Sequence, residues 1–325
     1  ALYGTDHVRG TFAPTQYGWA IERRDSTSAT DVTIDGLVFQ PAADYVLIGN
    51  IFTSLVAVRG GSSKPVPDNV KILNNVFDTS IINTPDGDAT PIVAITVFST
   101  PIADDVAADT RIDRNLIVLQ HQGTTNSSTE CGILLAVSGG AANGNPSEIT
   151  NNVFSIAGRT PSPVSNPPVL VAPVGIYARP SSTIMEGIFS GVKVDYWNMT
   201  GNTFKTDGTR NWYSMMEFGS DVGVDSDAQS QDQTGIFLVQ NVFGGKAYKA
   251  IRFFRDNANI TVELGSTGNV FNGTYDGLPT PIDVGVWIFN NPNPALNGTL
   301  CVNGVDANIG GTYYLNERQV QNLLK

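Results

Sequence analysis

The string Val70-Lys71-Ile72-Leu73-Asn74-Asn75-Val76-Phe77 constrains this chain more than any other feature, because its core keeps returning. An aliphatic residue, one or two asparagines and Val-Phe or a near equivalent recur at Gly49-Asn50-Ile51-Phe52, Asn151-Asn152-Val153-Phe154 and Gly201-Asn202-Thr203-Phe204. They recur again at Gln240-Asn241-Val242-Phe243 and Gly268-Asn269-Val270-Phe271, with looser copies at Asp35-Gly36-Leu37-Val38-Phe39 and Arg114-Asn115-Leu116-Ile117. Val70 and Ile72 alternate with Lys71, the period of a half-buried strand. Asparagine tolerates the left-handed backbone that turns a corner between two strands. Stacked at equal positions in successive coils, its amide can also bond to the next asparagine, as in the Asn ladders of cross-β structures. The phenylalanine after the corner then packs on its counterpart one coil away.

A second class of segment follows these units. It comprises residues 55–59, 92–98, 132–137, 174–179, 214–218, 250–254 and 284–289, each a short apolar run of the kind found in strands of buried parallel sheets. One repeat therefore reads as a strand, an Asn corner, another strand, a loop and a third strand. The motif positions are 39, 52, 77, 117, 154, 204, 243 and 271. The interval from Phe39 to Phe52 is too short for a full coil, and the sequence does not say which of the two is out of register. Irregular periods and proline-rich, weakly charged loops exclude helical repeat arrays.

These Asn-Asn-Val-Phe and Gly-Asn-x-Phe repeats resemble the right-handed parallel β-helix group, the pectate-lyase-like superfamily, over roughly residues 30 to 290. The resemblance implies an all-β solenoid and a place among polysaccharide lyases and hydrolases, phage tailspikes or bacterial surface adhesins. We expect an N-terminal cap over residues 1–30, with a strand in Gly18–Arg23 that covers the open end of the stack. Repeats follow over 31–298. A C-terminal cap over 299–325 ends in a short helix, in which Asn316 and Gln319 form a capping box and Val320, Leu323 and Leu324 line one face.

Composition narrows the partners. A net charge of −11 with only seven lysines argues against nucleic acid and anionic membranes, and no apolar run is long enough to insert in a bilayer. Cys131 lies in an apolar run and reads as a buried free thiol; Cys301 is too distant along a solenoid to bridge to it. A chain with Ala1 in first place suits a processed, secreted protein or equally a trimmed one. Five Asn-x-Ser/Thr sequons, at Asn126, Asn198, Asn259, Asn272 and Asn297, would be glycosylation acceptors in a eukaryotic secretory route.

Candidate chemistry follows the fold resemblance. A lyase needs a base and a cation beside a uronate carboxylate. Arg59, Arg179, Arg252 and Arg255 close or flank the apolar strands and could serve, although arginines at strand ends commonly pair with neighbouring acids. A hydrolase needs two or three carboxylates. Asp86, Asp88, Asp104 and Asp105, followed by His121, superficially follow the polygalacturonase order of motifs, but a proline splits the first motif and the Arg-Ile-Lys element is missing. His7 lacks the companions of an epimerase motif. Asp221, Asp225 and Asp227 could offer oxygens to calcium from one loop, a solvated acidic loop being the alternative. Tyr196, Trp197, Trp212 and Tyr213 could stack on sugar rings or equally fill the core. The reading that follows is a cell-surface structural or adhesive protein that contacts a polysaccharide or other glycan and self-associates, as a homo-oligomer or end to end. An enzyme acting on an acidic polysaccharide is the alternative.

Overall fold

The computed structural model describes residues 2–4, 15–23, 31–39, 52–60, 65–79, 92–99, 105–119, 130–140, 144–157, 173–178, 194–207, 211–218, 233–253, 258–262, 269–275, 282–284, 300–302, 305–306, 308–309 and 312–313. They form a parallel β-solenoid without helices. Each coil contributes one strand to each of three sheets, as Val70–Leu73 (sheet I), Val76–Asp78 (sheet II) and Ile92–Phe98 (sheet III) illustrate. The next coil repeats the order with Arg111–Asp113, Leu116–Leu119 and Glu130–Ala136. Sheets I, II and III hold nine, seven and ten strands. The strand expected near residues 18–23 is Thr15–Ile21, which joins sheet III parallel to Phe52–Arg59, with Leu2–Gly4 antiparallel on its outer edge. The proposed C-terminal helix lies outside the described residues.

The corner between sheets I and II divides between two residues the work that the sequence assigns to asparagine alone. The first corner position has positive φ in Gly36, Asn74, Arg114, Asn151, Gly201 and Gln240, from 55° to 70°. The second position never turns the chain; it builds the ladder. Asn75, Asn115, Asn152, Asn202, Asn241 and Asn269 are all buried. In each of the first five, both the backbone N–H and Nδ2 donate to Oδ1 of the next asparagine, at 2.9–3.1 Å. Nδ2 also reaches back to a carbonyl of sheet I, as in Asn152 to Ile112 at 2.9 Å and Asn202 to Ile149 at 2.8 Å. Asparagine is required because one side chain must accept two bonds and donate two in a space closed to water.

Behind the ladder the register aligns Phe39, Phe77, Ile117, Phe154, Phe204, Phe243 and Phe271 across sheet II. Their rings stack 4.7–5.3 Å apart and within 11° of parallel, interrupted only where Ile117 stands. Phe39 is thus in register. Phe52 opens a strand of sheet III and pairs with Thr15, so it does not belong to the sheet II row. Gly132 and Gly175 let sheet III approach the stack: a Cβ on Gly175 would lie 2.4 Å from the Phe204 ring and 2.5 Å from the Met215 carbonyl oxygen.

Candidate functional site

With ladder and stack turned inward, the outward rows are the surfaces on which function can be built. Sheet III is buried on both faces. Val93, Cys131, Leu134, Val174 and Tyr177 form a second apolar cluster, apart from the solenoid core. Within the same sheet Ser214 donates to Oε2 of Glu217 at 2.5 Å, both residues being buried. Cys131 is the free buried thiol that its apolar surroundings foretold. Its pKa is pushed far up, first by burial and then by the nearby Glu217 carboxylate.

Sheet I differs, because its outer face is open. Strand register lines up Thr33, Lys71, Arg111, Glu148, Asn198, Phe237 and Thr261 in one row. At about 4.8 Å between strands this row extends roughly 29 Å. Thr33, Arg111 and Phe237 are exposed and Lys71, Glu148 and Asn198 half-buried. Phe237 presents 41% of its surface to solvent, between the fully buried Ile236 and Leu238. Phe237 is the one exposed aromatic of this otherwise polar row, standing towards its C-terminal end. On the strand beside it the ring of Tyr196 lies over Gly235, where a Cβ would come within 2.4 Å of Tyr196 Cδ1. Asn198 in turn accepts a hydrogen bond from Thr200 at 2.5 Å.

The other end of the row is charged. Asp113 is buried at the corner, accepts from Arg111 Nη2 at 3.1 Å, Thr150 at 2.9 Å and Asn151 at 3.0 Å, and forms an ion pair with Arg114, whose Nε lies 3.1 Å away. Three hydrogen bonds and a second guanidinium offset the cost of burying one carboxylate. Arg111 also lies 3.5 Å from Glu148. Both arginines remain about half exposed, so the cluster offers fixed guanidinium N–H groups to solvent, with Lys71 on the adjacent strand. The row thus carries charged donors towards one end and an aromatic ring towards the other.

The residues singled out in the sequence are placed as follows. Arg59 pairs with Glu22. Asp105 organises its own loop, accepting from the Val66 and Val106 amides at 2.8 and 3.0 Å and from the Ser99 hydroxyl at 2.7 Å. Trp197 and Trp212 take the core alternative: they are 0% and 1% exposed, with Nε1 bonded to the Val137 and Lys205 carbonyls at 3.0 Å each. No sugar can reach their faces. Tyr196 and Tyr213 are half-buried. Arg252 is the register partner of Glu217 on one side and Asp283 on the other. Arg179, Arg255, Asp86, Asp88, Asp104, Asp221, Asp225, Asp227, His7 and His121 lie outside the described residues. Among the described residues no group of three His, Cys, Asp or Glu side chains is placed to hold a metal, and no helix is long and apolar enough to cross a membrane.

The sequence reading missed Phe237, Arg111, Glu148 and Lys71 as surface candidates. Strand alternation could have found Arg111 in Arg111-Ile112-Asp113, but Phe237 is hidden in the unbroken apolar run Ile236–Val239. No protein-family model, curated protein or solved structure matches this chain.

Proposed function

We propose that the chain is an extracellular, pectate-lyase-like β-helix with a structural or adhesive role, and that it contacts a glycan through the outer face of sheet I. The exposure of Phe237 carries this reading. An apolar ring held in solvent, with Asn198 beside it and Glu148, Arg111 and Lys71 in line, combines a stacking platform with fixed hydrogen-bonding groups. The solenoid supplies rigidity, so little ordering cost is left to the protein side of binding.

The test is a panel of neutral and uronate polysaccharides, scored both for retention of the protein and for the ultraviolet absorbance of unsaturated products. Retention is expected, weakened at least tenfold (~1.4 kcal/mol) by Phe237→Ala and by Lys71→Ala, with unchanged circular dichroism. Absence of retention by every glycan would refute the reading. Release of unsaturated products would replace it with a lyase acting on an acidic polysaccharide.

A further inference from the structure

Tyr196 stands where its backbone is disfavoured. At the place where the chain enters sheet I, other coils hold Asn69 and Asp109 at φ 53° and Gly235 at 65°, residue types that tolerate the left-handed region. Tyr196 occupies the same place at φ 56°, and for a bulky side chain that conformation is a costly exception. The next coil makes room for it. Gly235 lies beside Tyr196, and a Cβ there would stand 2.4 Å from Cδ1 and 2.8 Å from Cε1 of the ring. A strained aromatic residue, paired with a glycine that accommodates it, points to a use for the ring outside the folding of the coil.

Two residues further along the same two strands, Asn198 and Phe237 are register partners. Asn198 Oδ1 already accepts from the Thr200 hydroxyl at 2.5 Å, which leaves the Nδ2 donors to a ligand. The charges nearby decide what kind of ligand that is. Glu148 is the register partner of Asn198 on its other side. The nearest cation in the described rows of sheet I is Arg111, two strands and about 10 Å from Asn198, and it faces Glu148 at 3.5 Å. A carboxylate or sulfate seated on Asn198 would meet the Glu148 carboxylate before it met a base, and such a juxtaposition is repulsive.

We infer that Tyr196, Asn198 and Phe237 form one subsite for an uncharged sugar unit. The apolar face of the sugar ring stacks on the aromatic surface, and one of its oxygens accepts from Asn198 Nδ2. The inference rests on the reading of sheet I as a glycan face. It adds the class of unit held at this end and names Tyr196 as a residue kept for the ligand and not for the fold.

Affinity electrophoresis of the full chain, in gels cast with neutral polysaccharides or with uronate homopolymers, tests the inference together with thermal unfolding followed by circular dichroism. The wild type is expected to bind at least one neutral polysaccharide about fivefold or more tighter than any uronate homopolymer. Tyr196→Asn removes the ring and installs the residue type that Asn69 shows to suit this φ. It should weaken that binding about fivefold or more, while the thermal midpoint stays level or rises. Tyr196→Phe keeps the ring and should bind within about threefold of the wild type. Asn198→Asp, which replaces the donor with a charged acceptor, should bind about tenfold more weakly.

A Tyr196→Asn chain that binds as the wild type does, or that melts clearly below it, would overturn the inference; the lower midpoint would return the tyrosine to the folding of the coil. So would an Asn198→Asp chain that binds undiminished, or a wild type bound by uronate homopolymers alone. Each of these results leaves the glycan face itself standing. A wild type bound by no member of either set refutes both readings together.

Discussion

Removing one rung from the middle of the asparagine ladder should cost far more than removing one from its end. Asn152 Oδ1 accepts the Asn115 backbone N–H and the Asn115 amide, each at 2.9 Å, and its Nδ2 donates to Asn202 Oδ1 at 3.1 Å and to the Ile112 carbonyl at 2.9 Å. In Asn152→Ala the Asn115 N–H is left buried without an acceptor, an orphan that costs about 1–3 kcal/mol. The Asn115 amide is better placed, because it keeps the Ile72 carbonyl at 2.8 Å and the Asp113 carbonyl at 3.2 Å. Two further bonds are lost at about 1 kcal/mol each. The sum is roughly 3–5 kcal/mol, a large share of a domain's net stability.

At the end of the ladder the orphan differs. Asn75→Ala strands the Leu37 N–H, which now bonds to Asn75 Oδ1 at 2.9 Å, but Leu37 is 41% exposed and water can take over. The Nδ2 bonds to the Ile34 carbonyl and Asn115 Oδ1 are lost as in the central variant, so we expect about 2 kcal/mol there, without the cost of a buried orphan. Urea denaturation followed by circular dichroism gives the comparison. Because coil-by-coil unfolding can blur a single transition, hydrogen exchange at the Asn115 amide should be read as well. Its protection should fall at least a hundredfold in Asn152→Ala. Equal costs for the two variants, or a cost below about 1 kcal/mol for the central one, would show that the ladder follows the fold and does not hold it.

Four further outcomes follow from the same structure. Gly175→Ala should lose about 3 kcal/mol in denaturation, since a backbone carbonyl and a stacked ring occupy the space its Cβ needs. Gly36→Ala, at φ +70° with nothing within 4 Å, should lose only about 1 kcal/mol of conformational preference. Thr110→Val should stabilise by about 1 kcal/mol, raising the thermal midpoint, because Thr110 Oγ1 is the single buried side-chain polar atom without a partner among the described residues. Tyr275, whose hydroxyl donates to the Phe243 carbonyl at 2.6 Å, has its pKa pushed by burial from 10.0 to about 12. The unfolded chain ionises first, so this group's contribution to stability is complete below pH 10 and is lost as pH rises towards 12. In Tyr275→Phe that alkaline loss should shrink by the tyrosine's share, measured as the difference between the two stability–pH curves.

How legible the fold was in the sequence depended on whether adjacent positions carried different residues. Sheets I and II could be read from alternation, as in Val70-Lys71-Ile72, and the ladder from asparagine at a fixed place before an apolar pair. The division of the corner could not be read from Asn74-Asn75 or Asn151-Asn152, where one residue type fills both places. Gly201-Asn202, Arg114-Asn115 and Gln240-Asn241 separate the position that needs positive φ from the position that needs an amide. The tryptophans were misleading because size and aromaticity say nothing of direction. Trp197 and Met199 point inward by simple alternation with Asn198 and Thr200. Phe237 escaped for the opposite reason, since an unbroken apolar run signals a strand buried on both faces, true of sheet III but not of residues 236–239.

The same division of labour explains why one repeated unit can carry unrelated surfaces. The ladder and the stack claim only the second corner position and the inward rows, which leaves alternate residues of each strand outside the folding problem. From these the chain makes three faces that differ in kind: polar and charged with one exposed ring on sheet I, aliphatic on sheet II, buried on sheet III. A face is assembled from residues about 25 to 50 positions apart, so no local motif announces it, and its chemistry appears only when rows are read across coils. It also follows that Lys71 and Phe237, four strands apart in one row, can be replaced without disturbing what holds the coils together. The losses of glycan retention in Lys71→Ala and Phe237→Ala should therefore combine additively, as those of sites with no shared partners do. A coupling between them of more than about 0.5 kcal/mol would mean that the two ends of the row do not act independently.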